Sequence, residues 1–146
     1  MVGVGELAPD FEAPNQDGGS FRLSSLRGSP VVLYFYPKAD TPGCTIEAKG
    51  FQQHLGELSA RGVKVVGVSV DDCPAQKAFA QKYGLAFPLV ADQKKEVAGR
   101  YGVLGPHGVA RRVSFLIDRD GKVVEVIDTS SPDPHVAKAR ARFLET

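Results

Sequence analysis

The chain is poor in cysteine, carries almost no net charge and has no long hydrophobic run. Two cysteines among 146 residues are too few for the disulfide scaffold of a small secreted domain. The formal net charge of +1 argues against a nucleic-acid-binding protein. No apolar run approaches the roughly 20 residues of a transmembrane helix. We therefore expect no nucleic-acid partner and no membrane span.

The amino-terminal stretch, MVGVGELAPDFEAP, also lacks the basic and apolar regions of a signal peptide. We expect a cytoplasmic protein with a reducing environment around its cysteines. The two cysteines and three histidines are scattered without a metal-ligand spacing, so we predict no metal and no other cofactor. The length suits a single domain covering residues 1–146.

Strand and helix patterns alternate along the chain. The runs PVVLYFY (30–36) and VKVVGVSV (63–70) are continuously apolar, which is typical of strands buried on both faces. Between them, residues 43–60 carry apolar side chains at spacings of three and four, which predicts a helix. Two strands that flank a helix are expected to be parallel and joined by a right-handed crossover.

The remaining patterns complete an α/β architecture. Around the core they predict an amino-terminal hairpin over 11–23, helices over 71–84, 93–101 and 133–145, a short strand in FPLVAD, and two hairpin strands within 112–128. We predict a thioredoxin-like fold, with a central mixed β-sheet flanked by helices and an N-terminal β-hairpin extension. A flavodoxin-like doubly wound sheet is the alternative, and the closing hairpin favours the thioredoxin-like topology.

Cys44 follows Thr-Pro-Gly at the head of the first predicted helix. Parallel α/β sheets carry their chemistry at the carboxyl ends of the strands, where this residue falls. A helix N-terminus offers free N–H groups and partial positive charge, which favour the thiolate, the nucleophilic form of cysteine. Thr41 can place a hydroxyl beside the sulfur, and Gly43 shapes the tight loop. Free cysteines are more often small buried apolar residues, so local features leave both interpretations open.

The stretch FYPKADTPGCTIEAKGF resembles the active-site segment of peroxiredoxins, whose pattern is met by Pro37, Thr41 and Cys44. Its Tyr-Pro-Lys lead-in and Thr-Pro-Gly-Cys-Thr-x-Glu core are most similar to the peroxiredoxin Q (bacterioferritin comigratory protein) branch. The blocks GELAPDFEAPNQDG, FPLVAD and RVSFLIDRDGKV extend the resemblance along nearly the whole chain.

The resemblance implies a thiol-dependent peroxidase that reduces hydrogen peroxide and organic hydroperoxides. Cys44 is then the peroxidatic nucleophile, which attacks a peroxide oxygen and becomes a sulfenic acid. The leaving oxygen needs donors, for which the family uses the threonine, the backbone N–H of the cysteine and an arginine. That arginine maps to Arg112, and the neighbouring Arg111 must face the opposite side of the sheet because side chains alternate along a strand.

Glu47 and Pro37 are the supporting residues of this interpretation. Glu47 either orients Arg112 through a bidentate pair or simply complements the helix dipole, and Pro37 shapes the loop. His54 is rejected as a general base, because ten residues of helix separate it from Cys44 by about 15 Å. We expect His107 and His135 to be solvated.

The second cysteine departs from the commonest pattern of the branch. Many members carry the resolving cysteine five residues after the peroxidatic one, where this chain has Lys49. Others carry it on the next helix, near the position of Ala80, whereas Cys73 stands at the mouth of that helix. Parallel strands bring both loops to one rim of the sheet. We predict an intramolecular Cys44–Cys73 disulfide, recycled by thioredoxin or another dithiol reductant in a monomeric protein.

Three alternatives remain open. Cys73 could be an incidental capping residue, which would make the protein a one-cysteine peroxidase resolved by an external thiol. A thioredoxin-type thiol–disulfide oxidoreductase needs a Cys-x-x-Cys pair, and Thr41 here replaces the first sulfur by a hydroxyl. A redox sensor or thioredoxin-like interaction module could use the same two cysteines.

Overall fold

Five strands form the central sheet, in the order β5-β4-β3-β6-β7. The computed structural model describes residues 1–145. β3 pairs in parallel with β4 and antiparallel with β6, so the sheet is mixed, as predicted. A separate two-stranded hairpin joins β1 to β2. The strands are β1 Glu12–Pro14, β2 Ser20–Arg22, β3 Val31–Phe35, β4 Lys64–Ser69, β5 Leu89–Ala91, β6 Val113–Ile117 and β7 Val123–Asp128.

The helices lie where the apolar spacing predicts them, with one exception. They are α1 Pro42–Gln53, α2 Leu55–Ala60, α3 Cys73–Tyr83, α4 Glu96–Tyr101 and α5 Asp133–Leu144, with a short 3-10 helix at Leu23–Leu26. The prediction of one helix over 43–60 is wrong, because His54 leaves the helical conformation (φ −103°, ψ 7°) and separates α1 from α2. Gly50 and Gly56 flank this break and weaken helix propensity there.

The strand β3 is buried on both faces of the sheet, which explains its unbroken apolar sequence. Leu33 and Phe35 belong to the core on the side of the hairpin and α4. Val32 and Tyr34 belong to the core on the side of α1, α3 and α5. The sheet is therefore sandwiched between two layers, and its antiparallel strands β6 and β7 exclude the all-parallel flavodoxin-like alternative.

The two cysteines lie in loops at the same end of the sheet, where the parallel strands β3 and β4 finish. Because β3 and β4 are parallel, the loop that leads into α1 and the loop that leads into α3 leave the sheet at the same rim. Cys44 is the third residue of α1, and Cys73 is the first residue of α3. Within residues 1–145, no helix has the length and apolar character needed to cross a membrane.

Candidate active site

Cys44 points inward from the first turn of α1. Its side chain is 1% exposed and belongs to the apolar cluster that also contains Tyr34 and Tyr36. The first helical hydrogen bond runs from the Thr45 N–H to the Thr41 carbonyl at 2.8 Å, so the N–H of Cys44 precedes the helical ladder. The positive end of the helix dipole therefore lies at the sulfur.

The Arg112 guanidinium lies against this sulfur, with Nη2 3.4 Å from Cys44 Sγ. Two further contacts fix its position: Nη1 donates to Glu47 Oε1 at 2.7 Å, and Nε donates to the Ser130 carbonyl at 2.9 Å. The side chain of Arg112 is only 9% exposed. Burial alone would lower the pKa of Arg112, but Glu47 and Cys44 together outweigh it and raise that pKa. A permanent, weakly solvated positive charge thus stabilises negative charge on Sγ.

Arg111 faces the other way. Its Nη2 donates to Asp128 Oδ2 at 2.7 Å, and both side chains are exposed. Both arginines precede β6, which begins at Val113, and their side chains diverge there. The structure brings Arg112, and not Arg111, to Cys44.

Glu47 is fully buried and uses only one of its carboxyl oxygens for a hydrogen bond. Oε1 accepts from Arg112, whereas Oε2 has no hydrogen-bond partner within the described residues. Burial raises the pKa of Glu47 to about 8, and the opposing effect of Arg112 is smaller. Of the two interpretations of Glu47, the contact matches the one in which it orients the arginine, although through a single oxygen and not a bidentate pair.

His135 contradicts the expectation of a solvated side chain. The imidazole is completely buried, with Nε2 2.8 Å from the Thr129 carbonyl and Nδ1 2.7 Å from Ser114 Oγ. These partners lie outside the first turn of α5, so the local sequence does not reveal them. Burial lowers the pKa of His135. Its Nδ1 also lies 3.6 Å from Glu47 Oε2.

Thr41, Pro37 and Gly43 belong to the segment that leads into Cys44. The expectation that Thr41 donates to the sulfur or the leaving oxygen does not match the structure, because its hydroxyl donates to the Lys38 carbonyl at 2.7 Å. Its oxygen keeps its lone pairs for accepting a hydrogen bond. Pro37 lines a cavity of about 320 Å³ that reaches Arg112. A Cβ built on Gly43 would lie 2.8 Å from Arg112 Nη2, so the absence of a side chain there lets the guanidinium approach.

Cys73 lies apart from this cluster. It is a free, half-buried thiol, and Cys44 is likewise free. Cys73 lines a different cavity, of about 520 Å³, together with Pro14 and Lys94. The structure therefore brings Arg112 and Glu47 to Cys44 but shows no bond between the two sulfurs.

Gln76 is a polar residue of this region that the sequence patterns did not reveal. Its Oε1 accepts from Tyr36 at 2.5 Å, and its Nε2 donates to Ser69 Oγ and to the Val90 carbonyl, both at 2.9 Å. This buried network connects the segment before Cys44 to the helix that begins with Cys73. The only available signal was the three-residue spacing from Phe79, which places Gln76 on the inward face of α3.

The assembled groups suit nucleophilic chemistry at sulfur. A helix N-terminus and a fixed guanidinium stabilise an anion at Sγ and, equally, an anion displaced next to it. Among residues 1–145, no group of three or more histidine, cysteine or acidic side chains is arranged to hold a metal ion.

Comparison with known proteins gives a consistent set of similarities. The AhpC/TSA family profile matches residues 4–126. Peroxiredoxin Bcp of Escherichia coli K12 is 40% identical over 139 residues, covering 90% of this chain and 89% of its own. A putative peroxiredoxin Bcp of Coxiella burnetii is 40% identical over 149 residues, covering 97% and 99%.

Solved structures agree with these sequence matches. Peroxidoxin BcpB from Mycobacterium tuberculosis has a TM-score of 0.92 at 40% identity, covering 98% of this chain and 97% of its own. Peroxiredoxin Q from Xanthomonas campestris has a TM-score of 0.87 at 29% identity, covering 98% and 95%. The thioredoxin-like fold with its N-terminal hairpin, predicted from the sequence, is thereby confirmed.

Proposed function

This chain belongs to the AhpC/TSA family and, within it, to the peroxiredoxin Bcp (peroxiredoxin Q) group, and from that membership we propose how its residues reduce peroxides. Its activity is that of a thiol peroxidase, which takes electrons from a thiol reductant. We assign the peroxidatic role to Cys44. The observation that carries the assignment is the Arg112 guanidinium held 3.4 Å from Cys44 Sγ by Glu47 and Ser130.

The first step forms a bond between Cys44 Sγ and one peroxide oxygen. The O–O bond breaks, the displaced oxygen takes up a proton and leaves as water or an alcohol, and the sulfur becomes a sulfenic acid. Arg112 stabilises the charge that develops on the displaced oxygen. The Thr41 hydroxyl accepts a hydrogen bond from the incoming peroxide, because its own proton is directed at the Lys38 carbonyl. Pro37 lines the cavity that reaches Arg112, and Gly43 leaves room for the guanidinium.

We assign the resolving role to Cys73. Its thiolate attacks the sulfenic sulfur, which forms a Cys44–Cys73 disulfide and releases water, and a dithiol such as thioredoxin then reduces the disulfide. A disulfide requires Cα atoms within about 7 Å. Because Cys44 is buried in α1 and Cys73 lines a separate cavity, we propose that the first turn of α1 unwinds to bring the two sulfurs together. Because this bridge lies within one chain, the cycle needs only a monomer. We also propose a cytoplasmic location, where both cysteines would be kept as free thiols before they react with peroxide.

A one-cysteine cycle is the second candidate. The observation that favours it is the position of Cys73, which lines a cavity separate from the one that reaches Arg112. In that cycle an external thiol reacts directly with the sulfenic acid. The sensor and interaction-module alternative predicts slow peroxide turnover and a trapped mixed disulfide with a partner.

The peroxidatic assignment is tested by stopped-flow peroxide consumption with the two single-cysteine variants. Cys44→Ser is expected to abolish consumption, whereas Cys73→Ser is expected to complete one turnover at the wild-type rate. Peroxide turnover by Cys44→Ser would refute the assignment. A slow first turnover in wild type would instead support the sensor alternative.

A further inference from the structure

Glu47 and His135 form a buried contact that the peroxidatic chemistry described above does not use. Among the described residues, Oε2 of Glu47 has no hydrogen-bond partner, and it lies 3.6 Å from His135 Nδ1. Both side chains are completely excluded from solvent. A buried carboxyl oxygen without a partner is costly when it is charged, and His135 Nδ1 is a titratable group close enough to change that cost.

The surroundings of His135 determine which nitrogen can take part. Nε2 faces the Thr129 carbonyl, which only accepts hydrogen bonds, so Nε2 carries a proton. In the neutral ring Nδ1 is therefore an acceptor, and its hydrogen-bond partner is the Ser114 hydroxyl at 2.7 Å. Glu47 Oε2 lies beside it at 3.6 Å, so a proton on either the carboxyl or the ring acts electrostatically on the other group.

The net charge of the buried cluster favours one proton on the Glu47–His135 pair. When Cys44 is a thiolate, it and an ionised Glu47 place two negative charges against the single positive charge of Arg112. One proton on the Glu47–His135 pair restores neutrality, which matters because an uncompensated buried charge is expensive. At neutral pH the same result follows from the direction of both shifts, since burial raises the pKa of Glu47 to about 8 and lowers that of His135.

We propose that His135 is a positioning residue of the peroxidatic site, which holds one proton in common with Glu47 and thereby keeps Glu47 and Arg112 in place against an ionised Cys44. The proposal deepens the proposed function and rests on it, because it assumes that Cys44 reacts as a thiolate. The imidazole itself touches neither the sulfur nor the substrate.

Other charged groups act on the protonation of the same pair. After burial and the Thr129 carbonyl, Arg112 and Lys138 lower the pKa of His135, while Asp128 opposes them. Several titratable and charged groups face the pair from the surrounding elements. They are Cys44 from α1, Tyr34 from β3, Arg112 just before β6, Asp128 at the end of β7, and Lys138 from α5.

The first test measures the rate of Cys44 oxidation against pH in a Cys73→Ser background. His135→Gln retains a donor for the Thr129 carbonyl but has no titratable nitrogen. We expect its rate near pH 7 to fall about tenfold and its thiolate absorbance to fall in parallel. In a Glu47→Gln background the further loss is expected to disappear, since the carboxyl proton is no longer there to share. His107→Gln, in an exposed loop, is the control.

A purely structural role gives a different result. It would lower the rate by the same factor at every pH and in both backgrounds, and that outcome would overturn the proposal. The proposed function fails only if Cys44→Ser keeps its reactivity with peroxide, so its failure is distinguishable from failure of this proposal.

Nitrogen NMR of the three histidines provides a test that needs no activity. In reduced wild type, the His135 Nδ1 resonance is expected to show a hydrogen-bonded, shared proton, and the resonance is expected to shift when Cys44→Ser removes the thiolate. A His135 resonance that is identical in the two proteins at every pH would overturn the proposal, even where the His135 variant fails to fold.

Discussion

Gly43 lies directly beneath the Arg112 guanidinium, so close that a Cβ at this position would lie 2.8 Å from Nη2. No real Cβ makes such a contact, and the guanidinium would have to move. The glycine is therefore part of the reason that Arg112 can reach Cys44 Sγ. Its importance comes from this close approach, since its own φ is not positive.

Gly43→Ala is expected to displace Arg112 and lower kcat/KM for peroxide by roughly 10- to 100-fold, because small misplacements at a reacting centre are costly. Gly56→Ala, in an exposed helical position with open space around its Cβ, is the matched control and should stabilise the fold by up to about 1 kcal/mol. Stopped-flow kinetics and urea unfolding measure the two effects. Wild-type kinetics in Gly43→Ala would contradict the role given to Arg112.

The resolving assignment predicts a defined product. After treatment with one equivalent of peroxide, wild type should contain an intrachain Cys44–Cys73 disulfide, detectable by mass mapping of a non-reduced digest. Cys73→Ser should accumulate Cys44 sulfenic acid and lose multiple turnover with thioredoxin while keeping its first turnover. Equal turnover of Cys73→Ser and wild type with thioredoxin would establish the one-cysteine cycle in place of the internal disulfide.

A group of contacts from α3 holds the loop before Cys44. Asp40 has a positive φ of 60°, and its carboxylate accepts from Tyr83 at 2.6 Å and from Lys82 at 2.9 Å. If Cys44 must leave the first turn of α1 to meet Cys73, these contacts oppose that movement. Tyr83→Phe is therefore expected to speed disulfide closure by about threefold after rapid oxidation of Cys44.

Quenched-flow alkylation of the remaining thiols measures this closure. Lys77→Met, a change of an exposed residue on α3, is the control and should close at the wild-type rate. Slower closure in Tyr83→Phe would show that the loop contacts favour the reactive geometry.

Patterns with a local cause were predictable from the sequence, and those with a distant cause were not. The unbroken apolar run of β3 follows from burial on both faces, which its composition indicated. His135 looked solvated because it opens a helix. Its burial depends on Ser114, which lies on a strand 21 residues earlier.

In the candidate site, too, features with a local cause were predictable and contacts between distant segments were not. The loop pattern indicated Cys44, and the resemblance to peroxiredoxins selected Arg112 over Arg111. The close approach of Gly43 to Arg112 is a packing distance between segments far apart in the chain, which no local pattern contains. The same holds for the contact between Glu47 and His135.

The three buried hydrogen bonds of Gln76 predict an effect on stability. Its partners lie on three other segments of the chain, which is why the sequence patterns did not reveal them. Gln76→Ala leaves Tyr36, Ser69 and the Val90 carbonyl without their partner, and we expect a loss of about 3 kcal/mol in the free energy of unfolding. Tyr36→Phe removes one bond and should cost about 1 kcal/mol. Urea unfolding measures both, with the exposed Gln81→Ala as control. A loss in Gln76→Ala no larger than that in Gln81→Ala would contradict the network.

The raised pKa of Glu47 predicts how stability depends on pH. Burial moves this pKa from 4.5 to about 8, so between these values the folded protein keeps a proton that the unfolded chain releases. The contribution to stability is complete below pH 4.5 and is lost as the pH rises through about 8.

Glu47→Gln should remove this decline, because an amide does not titrate. Urea unfolding at pH values across the window measures the slope, and Glu57→Gln, which alters an exposed carboxyl on α2, should keep the wild-type slope. A Glu47→Gln protein with the same slope as wild type would mean that Glu47 is ionised throughout. Arg112 would then outweigh burial, and the charge balance around Cys44 would have to be met by a group other than the Glu47–His135 pair.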